Sequence, residues 1–103
     1  MIYVLYNPQA GNNTGYEKSK ELDNLYKNET LEYINITEIN DYDSLFNDKV
    51  KENDSIIIAG GDGTLNRFIN NTESLTYPCT IYYYPVGSGN DFARDVDKEK
   101  PFP

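Results

Sequence analysis

Ser55–Ala59 (SIIIA) is apolar apart from its first residue and runs without a break into Gly60-Gly61-Asp62-Gly63-Thr64. Leu65, Phe68 and Ile69 then recur at helical spacing. A short run that is apolar on both faces suits a strand covered from both sides, as in parallel sheets. Such a strand, passing through glycines straight into a helix, is a building unit of α/β folds. The same pattern recurs twice. Ile2–Tyr6 (IYVLY) ends at Asn7-Pro8, with Gly11 and Gly15 beyond it. Thr80–Tyr84 (TIYYY) is closed by Pro85 and the loop Val86-Gly87-Ser88-Gly89-Asn90-Asp91.

Helical patterns fill the intervals. Thr14 and Glu17 stand at capping-box spacing, and Leu22, Leu25 and Tyr26 follow at i, i+3 and i+4, which predicts one apolar helix face. Leu31–Ile36 alternates like a strand near a sheet edge. Asp41 is placed to cap a second helix carrying Tyr42, Leu45, Phe46 and Val50 inward, and a last short helix is expected to begin near Asp91. The order β-α-β-α-β-α-β-α predicts an α/β fold, a parallel sheet flanked by helices, with residues 1–103 forming one domain. No internal repeat or linker interrupts it.

Composition narrows the function. Seventeen acidic residues against nine basic give a net charge of −8, which argues against nucleic-acid binding and against electrostatic docking on an anionic membrane by these residues. The acidic excess lies mainly between Tyr16 and Asp54, where solvated helix faces are expected, rather than in the glycine loops. One cysteine, Cys79, and no histidine exclude Cys/His metal sites and histidine-based triads. A metal here is a hard ion held by oxygens, such as Mg²⁺. No apolar run approaches the roughly 20 residues of a membrane span, and none forms a signal segment before the first strand, so a cytoplasmic protein is expected.

The chemistry is expected in three loops, Asn7–Gly15, Gly60–Thr64 and Pro85–Asp91, each following the C-terminal end of a predicted strand. In open α/β sheets that edge binds ligands. Glycines allow consecutive backbone N–H groups to approach an anion, and a helix starting at once adds its positive dipole end. Asp62 is the odd member, because a carboxylate beside a polyphosphate repels it. It either reaches Mg²⁺ or accepts the proton of an attacking hydroxyl, or it merely caps the helix. Asn90 or Asp91 can equally be a cap, and Tyr82-Tyr83-Tyr84 reads as strand filling. Arg67 and Arg94, the only arginines, each follow a glycine loop and can meet either phosphate or a surface carboxylate. No P-loop and no protein-kinase signature is present.

Asn7-Pro8-Gln9-Ala10-Gly11, Gly60-Gly61-Asp62-Gly63-Thr64-Leu65-Asn66 and Pro85-Val86-Gly87-Ser88-Gly89-Asn90-Asp91-Phe92-Ala93-Arg94 occur in that order. Together they resemble the N-terminal domain of the diacylglycerol kinase catalytic family, its bacterial soluble lipid kinase branch in particular. That family also holds sphingosine and ceramide kinases. The resemblance implies a Rossmann-like nucleotide-binding domain, whose β-rich C-terminal partner domain is absent from these residues. It further implies ATP as phosphoryl donor, Mg²⁺ as cofactor and a lipid hydroxyl, such as that of diacylglycerol, as acceptor. By the same resemblance Asn7, Pro8, Gln9, Ala10 and Gly11 contact nucleotide, Gly60, Gly61, Asp62, Gly63, Thr64, Leu65 and Asn66 hold phosphates, and Ser88 and Asn90 form the far wall. Thr37 matches in position a nucleotide-contacting threonine. Asp62 is the catalytic candidate, orienting metal or substrate.

Ser88 stands where relatives commonly carry Thr, which keeps the hydroxyl. The acceptor-binding half is missing, so the resemblance implies that these residues alone transfer no phosphate. It places membrane contact in the second domain and leaves a homodimer open. Two alternatives remain: an NAD kinase-like phosphotransferase, which shares GGDGT but not the other two loops, and a non-catalytic nucleotide-binding module.

Overall fold

A computed structural model describes residues 1–86 and the backbone of the strand Arg94–Val96. The long apolar runs form the strands. β1 (Ile2–Tyr6), β2 (Leu31–Asn35), β3 (Ser55–Gly60) and β4 (Thr80–Pro85) make a parallel sheet in the order β2-β1-β3-β4. β1 pairs with β2 and β3 so that Val4 lies between Tyr33 and Ile57, and Leu5 between Ile34 and Ile58. β2 takes the expected edge position.

Side chains alternate across the sheet, so consecutive isoleucines serve opposite layers. Tyr3, Leu5, Ile56, Ile58, Ile81 and Tyr83 pack with Phe46, Leu65 and Phe68 on one face, while Ile2, Val4, Ile57, Ala59 and Tyr84 pack with Leu22 on the other. The first face is covered by α4 (Tyr42–Ser44), a following π-helical turn (Leu45–Lys49) and α5 (Asp62–Asn71). Tyr42 and Phe68 meet edge-on there with ring centroids 5.4 Å apart, and Phe46 lies 6.4 Å from Phe68. Asp41 caps α4 as expected, its carboxylate accepting the Ser44 N–H at 3.1 Å.

The second face is covered by two short helices instead of one, α2 (Gly15–Ser19) and α3 (Leu22–Leu25), preceded by a tight turn, α1 (Ala10–Asn13), that buries no residue. The expected capping box does not form. The Thr14 hydroxyl donates backward to the Gly11 carbonyl, and no side chain caps α2. Ser19 likewise donates its hydroxyl to the Tyr16 carbonyl at 2.7 Å, a local bond that competes with helix continuation. The break also turns the predicted apolar face: Leu22 is fully buried, but Leu25 is 46% exposed. Gly15 is required where α2 meets β1, since a Cβ there would lie 1.8 Å from the Asn7 carbonyl oxygen.

A second difference lies at the far edge. The helix expected from near Asp91 falls partly outside the described residues, and Arg94–Val96 is a strand, β5, antiparallel to β4. β4 would otherwise end the sheet with unpaired backbone groups, and a short antiparallel strand satisfies them.

These connections decide where a ligand can sit. The chain steps from β1 outward to β2, then returns to the other side of β1 to form β3. The loops after β1 and β3 therefore diverge from adjacent strand ends. That switch point is where open α/β sheets leave a crevice.

Candidate functional site

At this switch point lies an open cavity of about 340 Å³, lined by the loop after β1 (Asn7, Gln9, Ala10, Gly11) and the first turns of α5 (Gly61, Gly63, Thr64, Arg67). Its size falls at the lower end of ligand pockets, about 300–1,000 Å³. A second hollow, of about 280 Å³, opens at the N-terminal strand ends beside Met1, Tyr26, Glu29 and Tyr82. It has no glycine amides in its lining and carries a carboxylate, so it does not suit an anion.

Asn7 ties the two loops together. Its Nδ2 donates to Thr64 Oγ1 at 2.8 Å, while its Oδ1 accepts the Gln9 N–H at 2.9 Å. Backbone bonds continue the stitching, with Asn7 N–H donating to the Ala59 carbonyl and Val86 N–H to the Gly60 carbonyl, both at 2.9 Å. Beyond Asn7 the chain makes a left-handed turn through Gly11, Asn12 and Asn13, with φ of 59°, 59° and 66°. Glycine and asparagine are the residues that tolerate this conformation. It brings Gly11 beneath Val86, whose Cγ1 lies 3.3 Å from where a Gly11 Cβ would sit.

The glycines after β3 divide by cause. A Cβ on Gly60 would meet the Thr64 side chain at 2.7 Å, so Gly60 is a packing requirement. Gly61 and Gly63 would place a Cβ in open space, and Gly61 (φ −97°, ψ −177°) has backbone that any residue adopts. Nothing within the described fold demands glycine at either position, and the open space there would let a ligand come close to the backbone. Gly61 is the N-cap of α5, and no side chain caps that helix. The first helical N–H groups, which have no intrahelical acceptor, are thus left to the cavity side.

Asp62 is the first residue of α5, but its carboxylate does not cap it. Its Oδ1 accepts a hydrogen bond from the Tyr83 hydroxyl of β4 at 2.9 Å. Asp62 therefore flanks the cavity between two lining glycines, anchored to the sheet. Tyr83 is the site residue that sequence reasoning missed. Three successive tyrosines read as filling, and only the alternation of β4 against Ile58 shows which hydroxyl reaches the loop.

The remaining candidates are placed as follows. Pro8 uses its carbonyl to accept the Gly15 N–H at 3.3 Å. The Leu65 side chain is fully buried in the core, so it can offer a ligand only backbone. Asn66 is exposed and outside the cavity lining. Thr37 sits in a 3₁₀ turn (Ile36–Glu38) at the same sheet edge but beyond β2, its hydroxyl donating to Asn35 Oδ1 at 2.6 Å. Ser88 and Asn90 lie outside the described residues. Among the described residues no cluster of three metal-ligating side chains occurs, so a cation here relies on the lone Asp62 carboxylate and on ligand oxygens. No helix among the described residues is long and apolar enough to cross a membrane.

The family model of the diacylglycerol kinase catalytic domain matches residues 1–102. The chain is similar to the diacylglycerol kinase of Bacillus subtilis (strain 168), 49% identical over 45 residues, which are 44% of this chain and 15% of that protein. It is also similar to probable diacylglycerol kinase 3 of Caenorhabditis elegans, 27% identical over 96 residues, or 90% of this chain and 12% of that one. The matched regions are thus less than a fifth of either relative's length. No solved structure matches the chain.

Proposed function

Since the chain belongs to the diacylglycerol kinase catalytic domain family, we propose that its switch-point cavity holds the phosphates of ATP for transfer to a lipid hydroxyl such as that of diacylglycerol. The observation that carries this is the pair Gly61 and Gly63, glycines that the fold does not need, at an uncapped helix start facing an open cavity. Anions are favoured there by free amides and by the helix dipole.

Asn7 and Thr64 keep the two loops at a fixed spacing, so the phosphate chain meets a preorganised cradle. Gln9, Ala10 and Gly11 form one wall of the cavity, with Gly11 beneath Val86, and Ser88 and Asn90 are assigned to the nucleotide by the family resemblance alone. Mg²⁺ fits a site with one carboxylate, since that ion is commonly held by one or two carboxylates together with substrate phosphates. Asp62 would hold it, and the ion supplies neutralisation of phosphate charge. The Tyr83 hydroxyl occupies one Asp62 oxygen and fixes the carboxylate's direction.

Phosphoryl transfer depends on positioning both reactants, and the cavity accounts for only the nucleotide, so these residues by themselves are expected to transfer no phosphate. The test gives full-length protein labelled ATP with diacylglycerol or with NAD. Labelled lipid is the expected product, and Asp62→Asn abolishes most of it. Labelled NAD in its place overturns the lipid reading.

A further inference from the structure

Among the described residues, Arg67 is the only charged residue in the cavity lining. It stands four residues after Gly63 and three after Thr64, hence on their face of α5. Helical side chains lean toward the N-terminus, which carries the guanidinium back over the first turn.

Among the described residues Lys20 pairs with Asp23 at 3.0 Å and Lys49 with Glu32 at 2.8 Å, while Lys18, Lys27, Lys51 and Arg67 make no ion pair. What sets Arg67 apart from the unpaired lysines is its place in the cavity lining. The Arg67 side chain is exposed and has no ion-pair or hydrogen-bond partner among the described residues. The adjacent Asp62 carboxylate is instead committed to Tyr83. An unpaired guanidinium at the wall of a glycine-lined, uncapped anion cradle has the geometry to bind phosphate oxygens as a fork.

We propose that Arg67 contacts the phosphate chain of the nucleotide and sets this site's preference for a triphosphate over shorter phosphates. The proposal rests on the nucleotide reading above. It goes beyond that reading by assigning the length discrimination to one side chain of α5 instead of to the backbone cradle. The neutral amides and the Thr64 hydroxyl bind whichever phosphate is nearest, whereas a cation a further turn along the helix adds affinity only when the chain is long enough to reach it.

The test is calorimetric binding of ATP, ADP, AMP and adenosine to the full-length protein carrying Arg67→Gln, Arg67→Lys or, as a remote control, Lys51→Gln. Lys51 lies just before β3, at the opposite edge of the sheet. Arg67→Gln is expected to weaken ATP by about tenfold while leaving AMP and adenosine within about twofold, compressing the ATP-to-AMP ratio. Arg67→Lys, with the charge but not the fork, should fall between. Equal weakening of AMP and ATP, or unchanged ATP affinity, overturns the proposal alone. So does an equal loss from Lys51→Gln, which would make the effect one of net charge. A wild-type protein that binds none of the four overturns the nucleotide reading and this proposal together.

Discussion

The Tyr83 hydroxyl donates to Asp62 Oδ1 at 2.9 Å, joining the buried face of β4 to the first residue of α5 across 21 positions of sequence. Tyr83 is only 3% exposed, so its ring is held by the core and its hydroxyl is a fixed donor. The bond holds the carboxylate away from the helix amides and steadies it at the cavity rim. Tyr83→Phe in the full-length protein is therefore expected to cost about 1 kcal/mol of stability, measured by urea unfolding. If orientation of Asp62 matters to the reaction, turnover should fall by a similar energy, about fivefold, with the ATP dissociation constant unchanged. Unaltered turnover would reduce the bond to a packing detail.

Asn7 uses both ends of its amide, donating to Thr64 and accepting from Gln9. Two substitutions separate its contributions. Asn7→Ala removes the bridge and should destabilise by about 1 kcal/mol, loosening the cradle. Asn7→Asp keeps the acceptor for Gln9 but puts a negative charge in the cavity lining. Its loss of ATP affinity should exceed that of Asn7→Ala, by about tenfold further, and should shrink in high salt. Equal affinities in the two variants would remove phosphate from the cavity.

The four parallel strands were readable because β1, β3 and β4 are runs of five or six mainly apolar or aromatic residues that stop at asparagine, glycine or proline, while β2 alternates as an edge strand does. The helical layer over Val4 and Ile57 was not. Thr14, Gly15 and Ser19 sit at helix-compatible spacing, yet the Thr14 and Ser19 hydroxyls bond backward and Gly15 is pinned against Asn7. β5 was missed because Arg94-Asp95-Val96 has no strand pattern of its own, and its pairing is a property of the β4 edge. At the site, the glycines marked loops at strand ends, and the strand order shows which two of those loops meet. Contacts such as Asn7 to Thr64, 57 residues apart, and Tyr83 to Asp62 depend on register, which residue identity does not disclose.

Gly15 and Gly61 are both glycines in the loops of the site, but the structure assigns them opposite costs. Gly15→Ala forces a Cβ to 1.8 Å from the Asn7 carbonyl oxygen, which only a backbone shift can relieve. A loss of about 3 kcal/mol is expected, seen as a lowered melting temperature. A Cβ on Gly61 meets nothing, so Gly61→Ala should change stability by less than about 0.5 kcal/mol. The same methyl intrudes on the space a phosphate would occupy, and ATP affinity should fall. A Gly61→Ala protein that binds ATP normally would argue against backbone cradling at this loop.

Alkaline pH probes the core beneath α5. Burial pushes the Tyr42 phenol up to about 12 from its ordinary value of 10.0. Burial, with the nearby Asp54 charge adding to it, pushes the Cys79 thiol up to about 11 from 9.0. Both groups stay neutral in the folded protein at pH values where the unfolded chain ionises. Their contribution is thus complete below the unfolded values and is lost as pH rises, from 9 toward 11 for Cys79 and from 10 toward 12 for Tyr42. The urea midpoint should hold steady up to about pH 8.5 and fall beyond pH 9. Tyr42→Phe removes one of the raised phenols and should make the upper part of that slope shallower without abolishing it, because burial also raises Tyr3, Tyr26, Tyr33 and Tyr77. The folded thiol should also alkylate slowly at pH 8, since the thiolate is the reactive form. A midpoint that does not move up to pH 11 would mean that neither group is shielded by the core.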